Sequence, residues 1–413
     1  RKSSQFCTST LNPLSLEFRP YDQEKDSDSY SLAISEAFAC KASDVPKWVL
    51  KSGPKNIRVL ESDGKFAATA LFIPMGQFFG GQSVTMQGIA GVAVRPEFRG
   101  TGLAKELMRS AIKELGETGS ALSTLYPSTA PLYNSVGFEL AGLFPKWKFR
   151  FEHLPQARLS DAQANGLQIV PGTPEDRDEI RQLYFNQARL QPGFLDRGDY
   201  LWNRIFEPRN KTAYTYLVRE TSSGKLRGFI SFSQDAVPEL DHWTELNIYG
   251  IEAADFTAWK ALFAFIRSYQ SMARRVTIHV GVHHPLFIAM PEQRSQVTVD
   301  EVWMSRILNV KQALQQRGYP SSMSAELHFE VQDDLLPANH GSWVLSVRDG
   351  EGAVEPGGRG DLKLPIRALA PLYTGHLSAE ILHVAGRLQG TDQTLALATS
   401  IFQGPAPWLP DMF

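Results

Sequence analysis

The sequence is poor in cysteine. Of its 413 residues only two are cysteines, Cys7 and Cys40. That is too few for a disulfide framework or a cysteine-based zinc site, and a reducing compartment is the natural expectation. Neither charge is in excess: 42 Lys and Arg stand against 44 Asp and Glu, a net of −2. A general nucleic-acid binder is normally basic, so that class is set aside. There is no apolar run of the roughly 18 residues needed to span a membrane. The N-terminus lacks the basic, apolar, small-residue order of a signal peptide, so a cytoplasmic place is expected. No short-period repeat occurs. What is present is ordinary for a folded soluble chain: 43% hydrophobic and 21% charged residues, with 32 Gly and 25 Pro. A disordered chain, a collagen-like repeat and a long coiled coil are excluded. At roughly 150 residues per domain, the length predicts two to three domains.

Alternation predicts strands over 15–19, 57–61 and 65–73, with Asp63-Gly64 as a two-residue hairpin turn between the last two. A helix after the first strand shows Leu32, Ala33, Ala37 and Phe38 on one face. Residues 86–94 form a small-residue and β-branched run that suits a buried strand ending at Arg95-Pro96. After Arg99-Gly100-Thr101-Gly102 come Leu103, Ala104, Leu107, Met108, Ala111, Ile112 and Leu115, an apolar stripe of helical period. Another strand is predicted at 120–125, a short helix at 129–136 and a strand near 138–151. Residues 153–165 read as a linker. A second series of strands (214–219, 226–233, 243–251, 275–281) and helices (174–190, 253–269) follows. Beyond Met290-Pro291 come strands near 325–332 and 341–348, a mobile Gly-rich loop at 349–360, and helices at 366–373 and 377–384. The first two blocks look like two copies of one architecture.

The pattern Arg99-x-x-Gly102-x-Ala104 therefore sits where a strand turns into a helix. A helix start offers unpaired N–H groups and the positive end of the dipole, which suits a pyrophosphate. Gly100 and Gly102 permit close approach, and Arg99 adds positive charge. A dinucleotide site would want Gly-x-Gly-x-x-Gly. Here Gly100-x-Gly102 is followed by Lys105 in place of the third glycine.

The order from Val92-Ala93-Val94 through Arg99–Ala104 to Ser128, Tyr133 and Gly137-Phe138 resembles the GNAT acetyltransferase superfamily. Residues 301–319, 361–373 and Ala385-Gly386-Arg387 are similar to the C-terminal region of the Eis (enhanced intracellular survival) acetyltransferases. The resemblance implies an α/β (α+β) chain of tandem GNAT folds, the second degenerate, followed by a sterol-carrier-protein-like domain. The borders expected are 1–152, 153–291 and 292–413. It implies acetyl-CoA as co-substrate, held by Val92, Ala93, Val94, Arg99, Gly100, Thr101, Gly102, Leu103, Ala104, Lys105, Ser128 and Thr129. It also implies a homo-hexamer. The second copy shows Glu252, Ala253, Ala254 and Asp255 at the matching turn. Two carboxylates there would cap the helix and repel a pyrophosphate, so one acetyl-CoA site per chain is expected.

Acetyl transfer to an amine needs a polarised thioester, a deprotonated amine and an acid for the leaving thiolate. Tyr133 matches the family's Tyr-x-x-x-Gly-Phe segment and is the expected acid; Tyr126 is read as lining the pocket. The resemblance implies that the base is the α-carboxylate of Phe413. The apolar, aromatic tail Trp408–Phe413 agrees with a docked terminus. Trp48 falls where the family lines its acceptor pocket, and Asp411 is expected to meet a cationic substrate. Gly91 stands where the family can carry a bulky aromatic, which predicts a more open pocket. The acceptor expected is a primary amine of a cationic small molecule, such as an aminoglycoside or polyamine, or a lysine. A non-catalytic acyl-CoA or lipid carrier is the alternative from another class; a double-GNAT peptide acyltransferase fits less well. His283-His284 have no third ligand by spacing, so no metal site is expected. The stripe Phe256, Trp259, Phe263 and Ile266 reads as core.

Overall fold

The computed structural model describes residues 15–413, apart from 238, 240, 241, 282, 283 and 293. Cys7 and His283 lie outside the described residues. The chain forms two compact units. One runs up to Phe72 and includes Gly91–Ala111; the other holds Ile73–Ala90 and Ile112–Phe413.

In the first unit Leu16–Pro20 pairs antiparallel with Ile57–Ser62, which pairs antiparallel with the start of Lys65–Phe79. The turn between the last two is Asp63-Gly64, with φ of +51° and +73°. Both positive values are what a two-residue hairpin of this twist requires. The helix Gln23–Phe38 starts at Asp22, whose carboxylate accepts from the N–H groups of Glu24 and Lys25. Its buried face is not the expected one. Tyr30, Ala33 and Ile34 point inward, whereas Leu32 and Phe38 are 42% and 54% exposed. The reason is polar: Asp26 is buried on that face and pairs with Arg19 at 2.7 Å, and Arg19 also binds Glu61. A count of apolar residues cannot register an inward carboxylate. The expected stripe of the helix Leu103–Glu117 is found, with Leu103, Leu107, Met108, Ala111, Ile112 and Leu115 all buried. Full burial of such side chains contributes about 1.5–3 kcal/mol each.

In the second unit the sheet is built around Glu139–Arg150. On one side it pairs with Ala273–His279, on the other with Gln296–Ile307, both antiparallel. Gln296–Ile307 also pairs with Leu122–Leu125, which runs parallel to residues 86–89. Beyond Ala273–His279 come Thr244–Ala253, Leu226–Ala236, Tyr214–Glu220 and Leu167–Pro171 in that order. The strand Gln296–Ile307 has no counterpart among the strands that alternation predicts. Its first half alternates polar and short β-branched residues, and only its pairing on both edges makes it a central strand. Helices that escape the periodicity include Leu159–Ala164 inside the expected linker, Asp199–Phe206, Pro285–Ala289, Val310–Gln316 and Asp392–Phe402.

The last strands form a separate sheet in the order Glu351–Pro356, Gly341–Arg348, Ala325–Gln332, Leu362–Pro365. The stretch expected to be a mobile loop over 349–360 is instead largely a hairpin. Asp349 and Gly350, with φ of +52° and +83°, make its two-residue turn between Arg348 and Glu351. The Asp-Gly pair carries this signal, and the following glycines obscure it. Two hydrophobic cores result. One gathers Phe229, Phe232, Leu262, Phe263, Val276 and Trp408. The other gathers Trp303, Phe329, Leu345, Tyr373, Phe402 and Leu409. Trp408 and Leu409 are consecutive yet serve different cores, because successive side chains of an extended segment point to opposite sides. Trp259, Phe263 and Ile266 are core as expected, but Phe256 is 59% exposed at the first turn of the helix Phe256–Ser268.

Candidate active site

The glycine turn lies in the first unit. The strand Gln82–Val94 carries Gly91 near its end, with φ of +57°. A Cβ at Gly91 would meet Ile34 and Leu71 only at an ordinary 3.7 Å. Glycine is needed there for its backbone conformation, which an open-pocket argument does not capture. Ala93 is buried, and Val92 and Val94 are half-buried. Arg95 N–H donates to Ala67 O at 2.9 Å and ends the strand. Arg99 is exposed, and its Nε–H donates to Val94 O at 3.2 Å. Gly100 and Gly102 have φ of +78° and +88°, and a Cβ added to either would meet nothing within 4 Å. The Thr101 hydroxyl donates to Phe98 O at 2.6 Å. Lys105 and Glu106 N–H both donate to Gly102 O, which starts the helix. The N–H groups from Gly100 through Ala104 find no acceptor among the described residues. Five unsatisfied donors at a helix start, bare of side-chain cover at both glycines, form an anion cradle.

A Gly102→Val substitution should weaken binding of a pyrophosphate-bearing ligand at least about tenfold. A β-branched residue in the left-handed region costs about 1–3 kcal/mol, which shifts the turn. Calorimetry with inorganic pyrophosphate on both proteins checks this. Unchanged binding would remove the cradle as an anion site.

Tyr133 and the C-terminal tail lie in the second unit. Ser128 and Thr129 are exposed and lead into the helix Ala130–Asn134. That helix carries Tyr133, which is buried, with its ring edge-on to Phe138 at 6.2 Å. Burial raises the Tyr133 pKa, and a hydrogen bond with Ser128 opposes the shift. The next turn closes through Gly137, with φ of +93°. A Cβ there would fall 1.9 Å from a nitrogen of Arg306. Arg306 is fully buried and binds both Asp333 oxygens at 2.9 Å.

The tail is docked, as its composition predicted. Leu409 N–H donates to Leu143 O and Trp408 N–H to Pro192 O. The Trp408 ring lies edge-on to Phe194 at 4.3 Å and covers Gly281, where a Cβ would stand 2.2 Å away. The Tyr126 hydroxyl donates to the main-chain O of Asp411 at 2.6 Å, and its ring meets Phe413 edge-on at 5.5 Å. Gly88 forms the floor under Phe413: a Cβ there would be 2.8 Å from the ring. Tyr126 is thus a tail-holding residue. Gly88 carries no local signal, because nothing marks a glycine in mid-strand as facing a residue at the far end of the chain.

Asp411 departs from expectation. Its carboxylate is buried and paired with Arg197 at 2.9 Å. The Arg197 guanidinium lies over the Tyr184 ring at 3.7 Å. Asp411 is therefore an anchor whose charge is already met, not an open contact for a cationic substrate. Arg197 itself has no signal in the sequence; only the fold brings it to the tail. Trp48 lies half-buried on the helix Val45–Ser52, whose inward residues are Val45, Val49 and Ser52. The turn of the second copy is as expected at Asp255, which accepts from Ala258 N–H at 2.9 Å. Glu252 does not cap. It is buried, and burial pushes its carboxyl up to about 8 against the pull of Arg197. His284 is buried and pushed down to about 3, and its Nδ1 accepts from Leu286 N–H at 3.2 Å. It is a neutral structural histidine. No group of three or more metal-binding side chains occurs among the described residues, and no helix among them is long and apolar enough to cross a membrane.

Residues 17–141 and 193–307 each match a family model for an acetyltransferase (GNAT) domain. Residues 310–410 match a sterol carrier protein domain. The crystal structure of a GCN5-related N-acetyltransferase from Anabaena variabilis is 34% identical, with a TM-score of 0.90 over 97% of this chain and 100% of that one. This chain belongs to the GCN5-related N-acetyltransferase family. As an acetyltransferase it is also 25% identical to N-acetyltransferase Eis of Mycobacterium tuberculosis, over 75% of each chain. An uncharacterized N-acetyltransferase of Streptomyces griseus is 27% identical over 81% of this chain and 83% of its own. Eis1 from Mycobacterium abscessus, at 17% identity and a TM-score of 0.77, shares the fold. The acetyltransferase is Eis-like: two GNAT domains followed by a sterol-carrier-like domain.

Proposed function

We propose that this acetyltransferase moves the acetyl group of acetyl-CoA directly to a primary amine in a ternary complex. The acceptor is a small amine of the aminoglycoside or polyamine kind, or a lysine. The observation that carries the reading is the row of unsatisfied N–H groups from Gly100 to Ala104 at the helix start. In this reading Arg99, Gly100, Thr101, Gly102, Leu103, Ala104 and Lys105 hold the pyrophosphate. Ser128 and Thr129 contact the cofactor further along, and backbone N–H groups of Val92, Ala93 and Val94 polarise the thioester carbonyl. The amine nitrogen attacks that carbonyl and the C–S bond breaks. The Phe413 carboxylate takes the amine proton, and Tyr133 gives its phenolic proton to the departing thiolate. Trp48 borders the acceptor. Residues 1–152 form the catalytic domain and the degenerate copy follows. We place the start of the sterol-carrier-like domain after Ile307, because Gln296–Ile307 pairs with Glu139–Arg150. A hexamer, which the Eis resemblance implies, and a cytoplasmic place, which the scarcity of cysteine suggests, complete the reading.

CoA release, followed with a thiol reagent over a panel of aminoglycosides, polyamines and a lysine peptide, tests the activity. Tyr133→Phe should lower kcat by about a hundredfold or more while the KM for acetyl-CoA stays. Burial raises the phenol pKa. Its protonated, proton-giving form therefore persists to higher pH than a free tyrosine. Wild-type kcat should accordingly show no loss from phenol ionisation up to about pH 10. A Tyr133→Phe enzyme with full kcat would sink the assignment.

A further inference from the structure

The second unit holds a cavity of about 510 Å³ beside the tail, with Pro410, Asp411 and Met412 on one wall. Its volume suits a small-molecule site. Phe144 on another wall meets Tyr126 edge-on at 5.4 Å, and Tyr126 meets Phe413 at 5.5 Å. The cavity is thus one ring away from the residue whose carboxylate we propose as the base.

Most of the charges around this cavity are paired. Lys146 meets Asp300, Lys211 meets Asp235 at 2.9 Å, and Asp411 meets Arg197 at 2.9 Å. His279, stacked on Phe144 at 4.0 Å, is pushed down to about 4 by burial and adds no charge at neutral pH. Arg209, also on the wall, donates to the Tyr200 hydroxyl at 2.9 Å. Arg204 and Glu301 enter no ion pair among the described residues of the kind that Lys146, Lys211 and Asp411 form. Arg204 is half-buried on the helix Asp199–Phe206 and hydrogen-bonds Tyr200. A half-buried guanidinium without a counter-anion is costly unless a ligand supplies one. The same holds for a half-buried carboxylate, and Glu301 is half-buried. A polycation would find one open carboxylate in this cavity and two guanidinium groups, Arg204 and Arg209, on its wall.

We propose that this cavity binds the amino-acid headgroup of a diamino acid, with its carboxylate on Arg204, its α-ammonium on Glu301 and its side-chain amine left for acetylation. This rests on the acetyl-transfer reading and narrows its acceptor. The carboxylate needs the planar two-pronged donor that Arg204 offers, and lysine at that position would supply only a point charge.

The test uses three amines that differ by one group. Lysine has both headgroup charges, cadaverine lacks the carboxylate, and 6-aminohexanoate lacks the α-ammonium. Wild-type kcat/KM should be at least about tenfold higher for lysine than for either analogue. Arg204→Gln should collapse the lysine-to-cadaverine ratio, and Glu301→Gln the lysine-to-6-aminohexanoate ratio. Arg204→Lys should restore part of the first. Melting curves confirm that each variant is folded. Cadaverine turned over as well as lysine by the wild type would overturn the proposal, as would an Arg204→Gln ratio equal to that of the wild type. Calorimetry of lysine binding separates this proposal from the reaction itself. Lysine that binds the wild type and not Arg204→Gln supports the cavity even if no amine is acetylated. Absence of lysine binding to the wild type overturns it.

Discussion

Extending the chain by a single glycine after Phe413 should lower kcat by about a hundred- to ten-thousandfold, the range over which a positioned proton acceptor acts. The extension leaves the Phe413 ring, which seats against Gly88 and Tyr126. It converts the Phe413 carboxylate to a neutral amide and moves the free carboxylate by about 3.5 Å. Deleting Phe413 should cost as much, because it removes the ring and draws the terminal carboxylate back to Met412. Phe413→Ala keeps a terminal carboxylate on a tail still tied at Trp408 and Asp411. Its kcat should lie between those of the wild type and the deletion. Binding of acetyl-CoA, measured by calorimetry, should be unchanged in all three. Full activity in the glycine-extended enzyme would remove the terminal carboxylate from the mechanism and leave the base to be found elsewhere.

Replacing Arg197 with methionine should destabilise the protein by about 3–5 kcal/mol. The substitution leaves Asp411 buried without its counter-charge, since that carboxylate is almost wholly inaccessible. It also removes the stack of the guanidinium over Tyr184, worth about 2 kcal/mol when desolvated. The double replacement Arg197→Met with Asp411→Leu should recover much of the loss, because no lone charge then remains buried. Denaturant titration of the three proteins measures this. A single mutant within about 1 kcal/mol of the wild type would mean that water reaches the pair and that it does not anchor the tail. Activity should fall more than folding in Arg197→Met at low denaturant, because Phe413 lies two residues beyond the freed Asp411.

The cradle at Arg99–Lys105 was legible in the sequence because everything that makes it is local. A buried strand, two glycines and a helical stripe lie within some thirty residues, and each leaves its own periodic or conformational mark. Both glycines do adopt positive φ. The role proposed for Tyr133 rests on family resemblance alone, since a lone tyrosine carries no periodic signal. The docked tail was legible in composition, as an apolar aromatic end. What receives it was not. Arg197 reaches Asp411 across 214 residues, and Tyr126 reaches its main chain across 285. The expectation that Asp411 would face a cation failed for that reason: a carboxylate reads the same in sequence whether it is open or already paired. The helix Gln23–Phe38 failed similarly, because the buried Asp26–Arg19 pair sets its rotation.

The sequence by itself determined the family, the order of its domains and the glycine turn at the start of the helix Leu103–Glu117. All three are written in short-range patterns of hydrophobicity and glycine. Only the tertiary structure decided which charges are spent on one another and which are left facing a cavity. That depends on pairings between residues far apart in the chain, and burial sets their cost.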